Sequence, residues 1–530
     1  MTQTLLTTYQ TYLHQSTPLH PDTLPWLATA IDAVNWEAPE SAVELNHVAV
    51  MALVEAEQAD PSLRAFNLEI AFEALETAHS QKSYLLATAH LALLNLMVGN
   101  YATATQLAYS TFLGSLQGQH QPTTMPMGLV YLPPDHRFGD STDTTSEERG
   151  THLQSILTAE DGNIQAIRLL AAVLVRSQPV FYNANGFRFL RLAQSVFPHS
   201  VPTQLKLGLA SIMGQQWEGL WHLHAAQQAN PTHAATLQAL YLAYRDLNQA
   251  GICQTWRQVA QQAMVSAPSE LSWKWSGLEG DRPFSYVPFD QTVLLAVEPS
   301  LRSIVTSVLL AEGDWFESEM EFWRTQITEG MTVIDVGANV GVYTFSAAKR
   351  VGATGQVFAV EPFSVCVQCL QETRRVNGFD WVTVCPGAAS DRQGTARLSL
   401  HSANELNEIV TDDSPGTGSF ESVECFTLDG LLDKYGVTQV DWLKIDAEGH
   451  EMQVLAGSDR LLTELVPNII YENIAGASAN NAPVAALLQS KGYQLFRYQP
   501  YAQELIPIGS EAELNGNLNV IAIHGSRLND

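Results

Sequence analysis

A short stretch in the second half of the chain, Val333-Ile334-Asp335-Val336-Gly337-Ala338-Asn339-Val340-Gly341, combines residue types that can hold a small charged ligand. It reads as an apolar strand running into a glycine turn, with helical character over Val342–Lys349. Gly337 and Gly341 remove side chains where the backbone would pass close to a ligand. The helix N-terminus offers unpaired N–H donors to a ligand carboxylate. Asp335 would place a carboxylate near a ligand ammonium or sulfonium, and Asn339 lies between the glycines. A second strand, Gln356–Val360, ends in Glu361, about 20 residues after Gly341, where Rossmann-type sheets place the acid that accepts hydrogen bonds from a ribose. The spacing is G-x-x-x-G rather than the G-x-G-x-x-G of dinucleotide sites. The expected ligand therefore lacks a pyrophosphate, which favours S-adenosylmethionine over NAD.

A second group lies further along. Asp441–Ile445 is a largely apolar strand with Asp446 at its carboxyl end, followed by Glu448, His450 and Glu451. In open α/β sheets ligands bind beyond the carboxyl ends of the strands. Asp446 is thus expected to face cofactor and acceptor. Methyl transfer to a hydroxyl needs in-line placement and a base for the hydroxyl proton. Asp446, Glu448, His450 and Glu451 are the candidate bases, while a first-turn charge (Glu448), an ion-pair partner (Glu451) and a solvent-facing ring (His450) are the plainer readings. Ala388-Ala389-Ser390-Asp391 follows the third strand, Trp381–Cys385, and could bracket an adenine through Ser390. Glu472 ends the strand Asn468–Tyr471 and could reach the acceptor. No metal is expected; were one present, Asp446 and Glu448 would be its nearest carboxylates.

These segments resemble the FkbM family of methyltransferases. The resemblance rests on D-V-G-A-N-V-G at Asp335–Gly341, V-E-P at Val360–Pro362, T-L-D at Thr427–Asp429 and L-K-I-D-A-E-G-H-E at Leu443–Glu451, in the family's order. It spans roughly 313 to 497 and says nothing of residues 1 to about 280. It implies an S-adenosylmethionine-dependent O-methyltransferase acting on a hydroxyl of a glycan or natural product.

The elements that must position these residues alternate strand, glycine turn, helix and strand from Thr332 onward, the signature of a parallel α/β sheet. Tyr493–Tyr498 and Leu518–His524 read as a closing antiparallel hairpin. Ser285–Val287, Thr292–Val297 and Ser303–Leu310 read as short strands, and Glu317–Gln326 as a helix. The first half reads as helix after helix. Ser83–Met97 and Ala102–Leu113 flank Gly99-Asn100-Tyr101, and Leu205–Met213 and Glu218–Ala229 flank Gly214-Gln215-Gln216-Trp217. Small residues would let paired helices approach while aromatics fill the groove. Pro198, Pro231 and Pro268 recur at roughly the 34-residue period of tetratricopeptide repeats. The stretch from Gln117 to Gly150, with Pro133-Pro134 and a Ser/Thr/Asp/Glu-rich run, reads as a loop.

The expected architecture is α followed by α/β. It comprises helical, tetratricopeptide-like repeats at 1–116 and 151–280 around a linker at 117–150, connecting strands and helix at 281–330, and a class I Rossmann-like methyltransferase domain at 331–530.

The formal net charge of −28 argues against a nucleic-acid partner, which would need a Lys/Arg surface. No apolar run of about 20 residues suggests a transmembrane helix. Five cysteines in 530 residues suit a reducing, cytoplasmic setting. Cys366 and Cys369, three apart, read as buried core thiols. The repeats could bind a protein partner or deliver a glycan, lipid or small-molecule acceptor. The competing reading is an interaction protein with the repeats as its working surface and the methyltransferase fold degenerate.

Overall fold

The computed structural model describes every residue except 1, 59–60, 118–123, 135–143, 179, 267–270, 279–282, 402–406, 411–418, 474–479 and 529–530. Pro268, Asp281 and residues 118–123 and 135–143 of the expected linker lie outside the described residues. The chain divides into two compact units, Met1–Thr236 with Tyr501–Gln503, and Leu237–Pro500 with Glu504–Asp530.

The first unit is helical. Leu85–Met97 and Tyr101–Leu116 form one antiparallel pair, and Val201–Met213 and Gly219–Ala229 another. In the first pair Ala104, Ala108 and Phe112 are buried. In the second, the close approach is made by two glycines. A Cβ on Gly208 would stand 2.6 Å from the Leu223 side chain, and one on Gly219 would stand 2.5 Å from the Gly208 carbonyl. The aromatic beside each turn does not fill a groove: Tyr101 is 41% exposed and Trp217 49%. The expected 117–150 loop ends early, because a helix runs over Thr144–Leu157. Its hydroxyl- and acid-rich opening suits a helix start.

Between these helices runs an extended, buried stretch from Gly128 to Leu132. An extended backbone buried outside a sheet must find other partners for its polar groups. Here side chains supply them. The N–H groups of Gly128, Leu129, Val130, Tyr131 and Leu132 go to Gln165, His47, Tyr9, His90 and Tyr12 respectively. The carbonyls of Gly128, Leu129, Val130 and Leu132 accept from Gln165, Asn46, Tyr9 and Tyr12. Burial holds His90 down at about 3 and lowers His47, so both rings are neutral and can accept.

The second unit is α/β. It opens on an antiparallel hairpin, β1 (Ser285–Phe289) and β2 (Val293–Val297). Ser303–Leu310, read above as a strand, is helix Ile304–Glu312. Ser303 caps it by accepting from the Thr306 N–H, and Gly313 ends it in the left-handed region. Val305 through Ala311 are all buried, so no amphipathic period marks the helix in the sequence.

The main sheet contains β3 (Thr332–Val336), β4 (Gln356–Glu361), β5 (Val382–Pro386), β10 (Trp442–Ile445), β11 (Asn468–Glu472), β12 (Tyr493–Gln499), β13 (Glu504–Pro507) and β14 (Asn519–His524). Its order is β13-β12-β14-β11-β10-β3-β4-β5. From β11 to β5 neighbours are parallel, and β14, β12 and β13 add antiparallel pairings. Edge strand β13 was not foreseen. Strand order reverses between β3 and β10, the crevice where open α/β sheets bind ligands. A second, four-stranded sheet from β6 (Ala388–Ala389), β7 (Gly394–Leu400), β8 (Glu408–Val410) and β9 (Ser419–Phe426) is inserted after β5. Cys366 and Cys369 are both buried, on the helix Ser364–Asn377.

Candidate active site

The carboxyl ends of β3, β4 and β10 bring Gly337, Glu361 and Asp446 together. The turn after β3 is anchored on both sides. The N–H groups of Gly337 and Ala338 donate to the Val360 carbonyl, and the Asp446 N–H donates to the Val336 carbonyl. Gly337 has φ +76° and Gly341 φ +100°, both in the region that favours glycine. The reason for each glycine differs from the expected ligand approach. A Cβ on Gly337 would collide with the Asp446 carbonyl, and one on Gly341 would stand 2.5 Å from the Phe345 ring. Asn339 adopts φ +49°, tolerable for Asn. The helix Val342–Val351 starts at Gly341 with no side-chain cap, which leaves its first N–H groups for another acceptor.

Glu361 is buried and braces the same turn. Its Oε2 accepts from the Asn339 N–H at 2.8 Å and its Oε1 from the Phe363 N–H at 2.7 Å. Each oxygen retains acceptor capacity for a further donor. Burial pushes its carboxyl up to about 7. Asp335, 2% exposed, accepts from the Thr344 hydroxyl at 2.6 Å, and burial raises it to about 6. Asp335 therefore serves the β3–helix junction from within the core.

The Asp446–Glu451 segment separates into distinct roles. Asp446 is half-buried, and its Oδ2 lies 3.0 Å from the Lys444 ammonium. Glu448 takes φ +49° and is half-buried. His450 shares a 3.0 Å hydrogen bond between its Nε2 and the Ser390 hydroxyl, and burial lowers its pKa. Ser390 is thus tied to the Asp446 loop, with its N–H held by the Phe426 carbonyl. Glu451, 1% exposed, braces the loop: Oε1 accepts from the Ala447 and Gly449 N–H groups, and Oε2 from the Asn481 amide.

Sequence reasoning passed over the residues beneath Asp446. Lys444 is fully buried, donates also to Asn519 Oδ1 at 3.1 Å, and sits 5.0 Å from the Tyr343 ring centroid. Burial works against its charge, but Asp446 and Glu317 outweigh it and raise its pKa. Glu317 accepts from the Tyr343 hydroxyl at 2.6 Å and from the Asn519 amide at 2.8 Å. A lysine inside an otherwise apolar strand was the available signal. Beside Glu361, Pro362, Ser364, Gln368, Pro386, Gly387 and Glu424 line a groove of about 470 Å³.

Taken together, the strand ends hold more acids than cations: Glu361, Asp446, Glu448 and Glu472, with Lys444 beneath Asp446. Such a site suits a cationic ligand, and the uncapped helix start suits a carboxylate on it. An α-amino acid sulfonium has both.

Residues 335–495 match the Methyltransferase FkbM domain, so the chain carries an FkbM methyltransferase domain there. Methyltransferase sdnD from Sordaria araneosa is 27% identical over 194 residues, which cover 31% of this chain and 74% of that protein. Methyltransferase 1 from Beauveria bassiana is 24% identical over 186 residues, 32% of this chain and 74% of that protein. Among solved structures, methyltransferase FkbM from Methylobacillus flagellatus KT matches with 16% identity and a TM-score of 0.27. That match covers 41% of this chain and about half, 54%, of the other. A SAM-dependent methyltransferase from Aquifex aeolicus matches with 16% identity and a TM-score of 0.23, over 39% of this chain and 86% of that one. No described helix is long and apolar enough to cross a membrane.

Proposed function

We propose that this methyltransferase uses S-adenosylmethionine and transfers its methyl group to a hydroxyl of a glycan or natural product. The observation that carries the reading is the meeting of the Gly337–Gly341 turn, Glu361 and Asp446 at one strand-order reversal. The uncapped start of the helix Val342–Val351 would receive the cofactor carboxylate, and Glu361 the ribose hydroxyls. Asp446 lies where the ammonium or sulfonium needs a counter-charge. When bound, the cofactor supplies a methyl group on a positively charged sulfur. The residues of this chain position the acceptor and take its proton. Glu448 and His450 are the candidate bases, with Asp446 beside them, whereas Glu451 orders the loop that carries them. Ser390 sets the His450 ring by their shared hydrogen bond.

Five free cysteines suit a reducing, cytoplasmic setting. The helical first unit, read as degenerate tetratricopeptide-like repeats, would recruit the acceptor or a protein partner. The paired helices closed by Gly208 and Gly219 favour that reading.

Calorimetry with S-adenosylmethionine, its demethylated product and NAD tests the cofactor. Binding of the first two and not the third is expected. Absence of S-adenosylmethionine binding at millimolar concentration sinks the proposal.

A further inference from the structure

Three carboxylates on two neighbouring strand ends point at one another. Asp446 follows β10, Glu448 stands two residues on in the left-handed region, and Glu472 is the last residue of β11, the parallel neighbour of β10. One oxygen from each lies within 4.8 Å of the other two. Like charges so close repel, and a protein interior cannot hold them without a proton or a cation.

Glu472 supplies the independent observation. It is 9% exposed, and its Oε2 is buried without a hydrogen-bond partner among the described residues. A buried carboxylate oxygen is normally satisfied, and one that is not marks a missing partner. The described neighbouring groups do not provide one. Lys444 attracts Glu472 but gives its hydrogen bonds to Asp446 Oδ2 and Asn519 Oδ1, and its one charge cannot balance three carboxylates. Asn473 gives its amide to the Leu514 and Asn517 carbonyls, and its Oδ1 accepts from the Asn481 N–H.

We propose that Asp446, Glu448 and Glu472 bind a divalent cation of the Mg²⁺ or Mn²⁺ class. Such ions take oxygen ligands at about 2.0–2.1 Å, so oxygens on opposite sides of one ion stand about 4.2 Å apart. The observed cluster is within a small adjustment of that span. A primary organic ammonium has three N–H donors but a single positive charge, which balances only one of three converging carboxylates. Three protein ligands leave positions for water and for acceptor oxygens. The cation would then fix a hydroxyl-bearing acceptor on the β11 side, away from Glu361. This reverses the metal-free expectation drawn from the sequence. The assignment of the acceptor rests on the proposed methyl transfer; the cation site does not.

The test is titration of the full-length protein with Mn²⁺, following the free-ion signal by electron paramagnetic resonance. One Mn²⁺ per chain, displaced by Mg²⁺, is expected, with at least tenfold weaker binding in Glu472→Gln and in Glu448→Gln. Thermal melting confirms that each variant is folded, and the half-buried Glu448 provides the answer should Glu472→Gln not fold. No saturable Mn²⁺ binding up to a millimolar overturns the proposal, as does equal binding in folded variants. Calorimetry with S-adenosylmethionine is run beside it. Mn²⁺ binding without cofactor binding removes the proposed function alone, and cofactor binding without Mn²⁺ removes the cation site alone.

Discussion

The Lys444 ammonium, wholly buried in the centre of the sheet, stands 3.0 Å from Asp446 Oδ2 at the edge of the crevice. One strand and its carboxyl end thus carry both an acid facing the crevice and the cation that balances it from below. Asn519 and Glu317 complete the arrangement on β14 and ahead of the helix Glu319–Gln326.

Replacing Lys444 by Met is expected to destabilise the protein. Removing one partner of a buried ion pair costs about 3–5 kcal/mol because the other charge is left uncompensated. The Asp446 side chain is 29% exposed, so water relieves part of this and the lower end of that range is expected. Denaturant unfolding measures it. A change below about 1 kcal/mol would show that the pair does not hold the strand end.

Cofactor affinity should depend on pH through Glu361. Its pKa is raised to about 7 by burial, so in the ligand-free protein it is largely protonated at pH 6 and ionised at pH 8. The ionised form is the better acceptor for ribose hydroxyls. Affinity is therefore expected to rise about tenfold from pH 6 to pH 8. In Glu361→Gln this dependence should vanish, with affinity about tenfold or more below the wild type at pH 8. Calorimetry at both pH values checks it; a pH-independent wild type would remove Glu361 from the binding site.

Glu448→Gln and Glu451→Gln should fail in different ways. Whether Glu448 takes the acceptor's proton or holds the proposed cation, its variant should lose turnover by about 10²–10⁴, the contribution of a general base, and keep its stability. In Glu451→Gln the new amide can still accept two backbone N–H bonds at its oxygen. Its NH₂ would then face the Asn481 amide, a donor against a donor. A loss of about 1–3 kcal/mol in stability is expected. Normal melting of Glu451→Gln with slowed chemistry would return Glu451 to the list of bases.

The strand ends were legible in the sequence because glycine spacing and terminal acids are local signals. Gly337 was found for a partly different reason from the one the fold imposes, since its space is taken by the Asp446 backbone. That contact joins residues over a hundred positions apart and has no local signature. The same is true of Glu317 and Asn519, which meet Lys444 only after the sheet forms. Helix Ile304–Glu312 was misread because burial on every side erases periodicity. The stretch Gly128–Leu132 was read as plain loop because its bonding partners, from Tyr9 to Gln165, are scattered along the chain.

That buried stretch makes the helical unit sensitive to acid. His90 has a folded pKa near 3 and His47 is also lowered, against about 6.5 unfolded. For a depressed histidine, the stabilising contribution is complete above the unfolded value and is lost as pH falls toward the folded value. From pH 7 to pH 5, His90 alone should cost about 2 kcal/mol. Thermal melts of the wild type and His90→Gln check this. The variant should show a smaller drop in melting temperature between the two pH values, and an equal drop would clear His90 of the effect.

The boundary of the methyltransferase part gives the last prediction. The sequence pattern changes character near Asp281, whereas the compact unit begins at Leu237. Residues between these points support the hairpin that opens the α/β part and the turn that follows it. Gln238 donates to the Ser285 hydroxyl and the Tyr286 carbonyl at 2.9 and 2.8 Å. Asp246 Oδ2 accepts from the Leu301 N–H at 2.9 Å and the Ser300 hydroxyl at 3.1 Å. Trp275, fully buried, packs on Tyr241 with ring centroids 5.2 Å apart. A shortened chain starting at Ala234 should therefore fold and bind S-adenosylmethionine. One starting at Ser285 loses all of these partners. Hydrogen bonds to a charged acceptor are worth about 1.5–3 kcal/mol each, so the second chain should be less stable by at least about 3 kcal/mol. Melting and cofactor calorimetry of the two chains decide between the boundaries. Equal stability would place the true boundary at Asp281 and reduce residues 237–280 to an appendage of the helical part.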